Sequence, residues 1–464
     1  MRTAPAPRTT QIFAASTLYG VATLAAALDS GCFPAADRRL LLISDNAPAP
    51  ETSAPLDTMP GFERLRGRFD GVLSWNDTIA PFHPGGWSPR PDDVPLWERQ
   101  LRTVWGLGDD RIELAVESIQ VNPAQAVAQL FPDAPITVYA DGLMTYGPTR
   151  NKLDPLIGTR IRRVLHLDLV PGLKPLLLGE FGVPCEPVAT EDFRKTVNEL
   201  ALAESELRIT DDLADDTEPV AILLGQYLSA LSILTVQQEE ELHLRMLRGA
   251  AARGHRRIVF KPHPSAPDAA SQRLLSEAAK LGVHLTVVDR PLLAEVLYER
   301  LSPALVVGCF STALLTASSF YGIPVARVGT ELLLDRLAPY QNSNRVPVTI
   351  ADALLPPLER GPLAPPVDLP GLLSAVGYAM RSELRPDLRD AAERYLAGSL
   401  DAYTWRYFKR RRLTSLGLPG AVPARLGFVP RNATVRRIAR RARALARARG
   451  LARSRALVRT LARR

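Results

Sequence analysis

The stretch Ile258-Val259-Phe260-Lys261-Pro262-His263-Pro264 decides how this chain is to be read. Ile258, Val259 and Phe260 are β-branched or aromatic residues suited to a strand buried on both faces. Two prolines then end that strand by fixing φ and removing backbone donors. A cation and an imidazole are left on a stiff corner at the strand's carboxyl end, where open α/β sheets take their ligands.

The pattern extends outward on both sides. In the second half, strands are expected at 220–224, 257–260, 285–288, 304–307 and 324–328, with helices at 236–253, 268–281, 292–300 and 313–320. The first half repeats the alternation, with strands at 11–16, 41–43, 71–75, 112–116, 136–139 and 163–167 and helices at 18–28, 94–107 and 123–131. Strand and helix in strict alternation with short connections predict mostly parallel sheets covered on both faces. The expected fold class is therefore α/β, with two Rossmann-like doubly wound lobes and a cleft between them. The expected divisions are an acceptor-side lobe at 1–190, a polar interdomain segment at 191–218 and a nucleotide-sugar lobe at 219–355. A proline-rich linker with closing helices at 356–420 and a basic tail at 421–464 complete the chain.

At 464 residues and 46% hydrophobic composition, the chain exceeds what one core usually supports. No apolar run approaches the roughly 18 residues of a membrane span, and the first residues do not read as a signal peptide. Cys32, Cys185 and Cys309 lie far apart without a paired motif, which fits a reducing compartment, and the six histidines are too scattered for a multi-histidine metal site. Walker, serine-elbow and His-Glu-x-x-His patterns do not occur, which argues against P-loop ATPases, common esterases and zinc proteases. The net charge of +8 is local: residues 431–464 hold thirteen arginines and no acid, so the rest of the chain carries −5.

Asp141-Gly142 ends one strand with a carboxylate, and glycine there lets the backbone turn sharply beside a ligand. The same dipeptide at Asp70-Gly71 precedes its strand and reads as a turn. Arg150 lies in the polar loop that follows Asp141. Gly308-Cys309-Phe310-Ser311-Thr312 joins a strand to a helix, so free amides and two hydroxyls converge as an anion site; helix capping alone also accounts for Ser311 or Thr312. Ser16 and Thr17 form a similar corner in the first half, able to hold a carboxylate, orient an acceptor or merely cap. Ser118, and Gly225 with Gln226 after the strand 220–224, complete the donor- or acceptor-binding candidates. His83 reads as a surface turn and His166 as a strand-end core residue.

The ordered set of Asp141-Gly142, His263-Pro264 and Ser311-Thr312 resembles the bacterial sialyltransferase and alpha-2,8-polysialyltransferase group, over about residues 9–350. The resemblance implies a GT-B enzyme. It would transfer sialic acid, or a related nonulosonic acid, from a CMP-activated donor to a glycan or glycolipid acceptor with inversion, in surface polysaccharide synthesis and without an essential metal. It assigns Asp141 as general base and His263 to the CMP phosphate; apart from the resemblance, Lys261 can stabilise the negative charge of the leaving group, and Pro264 beside His263 is a further donor- or acceptor-binding candidate. Ser311 and Thr312 would hold the phosphate or the sugar carboxylate. The group's pattern has two acids before the glycine, whereas Ala140 stands at the first of them here. A polyol-phosphate transferase resembling teichoic-acid polymerases, with a CDP-activated donor, and a glycan- or nucleotide-binding protein with a decayed site are the competing readings.

The Arg-rich tail has no aromatic residue for base stacking, so nucleic acid is not expected. Anionic lipid headgroups are its expected partner, with Trp405-Arg406-Tyr407-Phe408-Lys409-Arg410-Arg411-Arg412 adding interfacial aromatics and charge; an unstructured solubilising tail is the other reading. The expected location is cytoplasmic, at the inner face of the plasma membrane.

Overall fold

A computed structural model describes residues 8–206, 218–226, 228–263, 270–359 and 367–421. The Arg-rich tail and Pro264 lie outside these residues. Among the described residues, twelve strands form two wholly parallel sheets. The first contains β1 (Thr9–Ala15), β2 (Arg38–Ile43), β3 (Gly71–Ser74), β4 (Arg111–Glu117), β5 (Ile136–Ala140), β6 (Ile161–Leu167) and β7 (Cys185–Val188), in the order β3-β2-β1-β4-β5-β6-β7. The second contains β8 (Val220–Leu224), β9 (Arg257–Lys261), β10 (His284–Val287), β11 (Leu305–Gly308) and β12 (Val325–Arg327), in the order β10-β9-β8-β11-β12.

These strands are buried because helices cover both faces. Ile12 and Phe13 on β1, Leu40 and Leu41 on β2 and all of Val220–Leu224 on β8 have almost no exposure. Fully burying such a side chain stabilises by about 2 kcal/mol, and the two lobes each hold a run of them. The helix Leu18–Asp29 starts where Thr17 Oγ1 accepts from the Gly20 amide at 2.9 Å, which settles Thr17 as a cap. Ser311 likewise caps the helix Thr312–Tyr321, accepting from the Ala313 amide at 3.3 Å.

Two features differ from the sequence-based expectation. The proline-rich stretch before 190 contains β7, an edge strand whose Pro187 lacks only a donor that an edge does not use. The polar segment that follows begins as the helix Thr190–Glu206, which buries Phe193, Val197, Leu200 and Ala201 at helical spacing against the helix Leu18–Asp29. Its acidic outer face hid that stripe.

After the second sheet the chain returns to the first lobe. The helix Leu369–Arg381 brings Gly377 against Leu176 and Pro148, and Arg385 donates to the Leu176 carbonyl at 2.7 Å. Buried Asp352, on the helix Arg345–Leu354, accepts from Thr330 at 2.7 Å and Tyr407 at 2.9 Å and pairs with Arg327 at 3.0 Å and Arg406 at 3.3 Å. This cluster corrects the membrane reading of 405–409: Tyr407 and Phe408 are 0% and 4% exposed, and Arg406 is held by Asp352. No helix among the described residues is long and apolar enough to cross a membrane.

Replacing Asp352 with Ala removes the fully buried carboxylate partner of Arg327, itself 4% exposed, and leaves it only the half-exposed Glu331 as a counter-charge. Breaking a buried ion pair on one side is strongly destabilising. The variant is expected to lose about 3 kcal/mol in denaturant titration, whereas Arg90→Ala, at the exposed Arg90–Asp93 pair, is expected to lose under about 1 kcal/mol.

Candidate active site

Each sheet has a point where the chain stops adding strands on one side and begins on the other. It falls between β1 and β4 in the first sheet and between β8 and β11 in the second. Crevices at the carboxyl ends of such strands are where doubly wound sheets bind ligands. Residues from both sheets line one cavity of about 430 Å³ there.

From the first lobe come Asp141 and Gly142 after β5, Ser118 after β4, and Arg150. Ser118 has φ of 45°, a left-handed turn that ends β4 abruptly. The buried Gln120 side chain then accepts from the Arg150 amide, which ties the two loops together. From the second lobe come Gly225, Gln226, His263, Ser311 and Thr312. Gln226 Oε1 accepts from the Phe310 amide at 3.0 Å, joining the ends of β8 and β11. The lobes meet directly where the Leu143 amide donates to Thr312 Oγ1 at 3.4 Å. A Cβ at Gly142 would stand 3.3 Å from the same oxygen, so glycine is what allows this approach.

Several expected residues stand elsewhere. Lys261 is 7% exposed, is not on the cavity wall and donates to the Arg290 carbonyl at 3.0 Å; a strand-end lysine can turn back along its own sheet, and this one does. Gly308 packs under Leu314 instead of lining the cavity. Ser16 and Thr17 are also off the wall, Thr17 as a cap and Ser16 beside Glu117, whose ionised form it favours.

The electrostatics are those of a crowded acidic wall. Burial pushes Asp141 up to about 6, opposed only by a hydrogen bond from its own amide. Glu117, the last residue of β4, rises to about 7, first through burial and then through the charge of Asp141, against the Ser16 and Tyr139 hydrogen bonds. Glu117 is absent from the sequence-derived site. Its signal was an acid at the end of the strand beside the one carrying Asp141. Across the cavity, partial burial and then the Lys261 charge hold His263 below the ordinary imidazole value, against the pull of Glu239. The imidazole is thus neutral at pH 7 and offers an N–H donor. Among the described residues, no group of three or more potential ligands could hold a metal ion.

Two doubly wound lobes facing one cleft, with an acid on one side and helix-start amides and hydroxyls on the other, define a GT-B glycosyltransferase that acts on a nucleotide-activated sugar donor. Residues 11–330 match the alpha-2,8-polysialyltransferase family model, and the chain belongs to that family. Among solved structures it is similar to a Photobacterium 2,6-sialyltransferase bound to donor product CMP and acceptor substrate lactose. The two share 12% identity over 75% of this chain and 76% of that chain, with a TM-score of 0.43. It is also similar to the GT-B domain of a Photobacterium damselae sialyltransferase (12% identity, 73% and 95% covered, TM-score 0.41). A UDP-glucosyltransferase from Polygonum tinctorium shows 13% identity, with 89% and 98% covered and a TM-score of 0.39. No curated protein sequence matches the chain.

A Cβ at Gly225 would stand 2.9 Å from the Phe260 ring and 3.2 Å from Pro262 Cα, the residue that positions His263. Because the near atoms belong to a packed ring and the backbone, the corner itself must shift. Gly225→Ala is expected to lower kcat/KM by about tenfold while the protein stays folded by circular dichroism.

Proposed function

We propose that the protein transfers sialic acid, or a related nonulosonic acid, from a CMP-activated donor to an acceptor glycan with inversion at the anomeric carbon. The observation that carries this reading is the meeting of Asp141 with His263, Ser311 and Thr312 on one cavity wall. Family membership supports the donor class.

In this mechanism the acceptor hydroxyl attacks the anomeric carbon from the side opposite the phosphate. Its oxygen forms the new glycosidic bond, the bond to the CMP oxygen breaks, and Asp141 takes the hydroxyl proton. Charge then grows on the departing phosphate. The neutral His263 N–H and the Ser311 and Thr312 region at the start of the helix Thr312–Tyr321 face that charge; donors placed where charge develops are worth several kcal/mol. Arg150 brings a permanent positive charge to a wall otherwise dominated by acids, so it fits the carboxylate of an acidic sugar. Lys261 acts at a distance, by keeping His263 neutral. The Arg-rich tail, without the 405–409 segment, is proposed to bind anionic lipid where acceptors for surface polymers are held.

With CMP-N-acetylneuraminic acid as donor, wild type is expected to release CMP and form a glycoside. Asp141→Asn and His263→Ala are expected to lose at least about 100-fold in kcat. A product with a new phosphodiester would select the polyol-phosphate reading instead, and CMP binding without turnover would select a decayed enzyme. Asp141 acts only when ionised and is raised to about 6, so log kcat/KM is expected to fall as the pH drops below about 6.

A further inference from the structure

Glu117 is a carboxyl at the centre of the cleft that the mechanism above leaves without a task. It ends β4, the strand on one side of the first sheet's switch point, and lines the cavity with Asp141. Register pairs Glu117 with Tyr139, and Asp141 follows two residues later, so both acids leave neighbouring strands at the same edge. Ser16, at the end of β1 on the other side of the switch point, lies beside Glu117 and favours its ionised form, against the larger effect of burial. Gly20 leaves the room: a Cβ there would lie 3.0 Å from the Tyr139 hydroxyl and 3.4 Å from Glu117 Oε2.

The hydrogen-bond accounting indicates which form Glu117 takes. Tyr139 has a single proton, and its oxygen lies 2.8 Å from the Ala14 carbonyl but 3.5 Å from Glu117 Oε2. The proton goes to the nearer carbonyl, so Tyr139 does little to hold Glu117 ionised, which leaves burial to favour the acid. Two carboxyls in one confined space also share their ionisation, because the second charge must form beside the first. The titratable and charged groups around them agree. Tyr19 from the helix Leu18–Asp29 and Glu295 from the helix Ala294–Leu301 both feel the Asp141 charge, and neither supplies a cation. Arg150 and His263 complete the wall, with His263 neutral at pH 7.

We propose that Glu117 is a further substrate-binding residue of this site, a proton-bearing carboxyl that donates a hydrogen bond to the acceptor while Asp141 removes the acceptor's proton. No bond is made or broken at Glu117 itself. The proposal rests on Asp141 being the base. It also divides labour between two similar groups: Asp141 ionises first and Glu117 keeps its proton until about pH 7, so activity falls on the acid side through one and on the alkaline side through the other.

The test is kcat/KM against pH for the full-length protein, with CMP-N-acetylneuraminic acid and a short α2,8-linked sialic acid oligomer as acceptor. Wild type is expected to decline above about pH 7. Gln is a donor at every pH, so Glu117→Gln is expected to abolish that decline and to exceed wild type about tenfold one to two units above it. Glu117→Ala is expected to raise the acceptor KM about tenfold or more at all pH values; thermal melts report whether it folds, and the near-isosteric Gln variant keeps the test decisive if it does not. An alkaline limb unchanged in Glu117→Gln would assign that limb to another group, such as His263, and overturn the proposal. A Gln variant as impaired as the Ala variant would overturn it too. Full turnover by Asp141→Asn would instead overturn the base assignment, which separates the two failures.

Discussion

Parallel strands joined by right-handed crossovers deliver every strand's carboxyl end to the same edge of a sheet, and this constraint places all of the chemistry here. Glu117, Asp141, Gln226, His263 and Phe310 to Thr312 lie up to 195 residues apart in the chain, yet each ends or follows a strand in register with its neighbour. The cavity exists because two such edges face one another. The Leu143 amide on Thr312 and the absence of a side chain at Gly142 let the edges approach at the cavity itself.

Charge is then distributed by which side chains turn toward that edge. The acids face inward and are raised by burial, while Lys261 folds back onto the Arg290 carbonyl and leaves the cavity to Arg150 and a neutral imidazole. The cavity wall therefore offers dipoles and N–H donors rather than a cluster of lysines. The return of the chain from the helix Arg345–Leu354 to the segment 403–407, fixed by Asp352, supports the same wall from behind, since Val346 packs on Gly147 in the loop after Asp141.

Most of the fold was legible because period and punctuation carry it. The strands at β1, β4, β5, β8, β9 and β11 have apolar runs that only a doubly covered parallel sheet buries, and the residues that end them are the ones that mark a ligand edge. β7 was missed because its proline is acceptable at an edge, and edge position is not written in local sequence. The helix Thr190–Glu206 was obscured by its acids, although Phe193, Val197 and Leu200 keep helical spacing.

The sequence by itself determined the α/β alternation, the two lobes and the placement of Asp141, His263, Ser311 and Thr312 at strand or helix ends, since these follow from local periodicity and from proline, glycine and capping chemistry. Only the tertiary structure decided that Lys261 and Gly308 stand off the cavity, that Tyr407 and Phe408 are core, and that Glu117 joins Asp141. Those outcomes depend on which strands become neighbours and which way a side chain turns once they do, and both are set by packing between segments far apart in the chain.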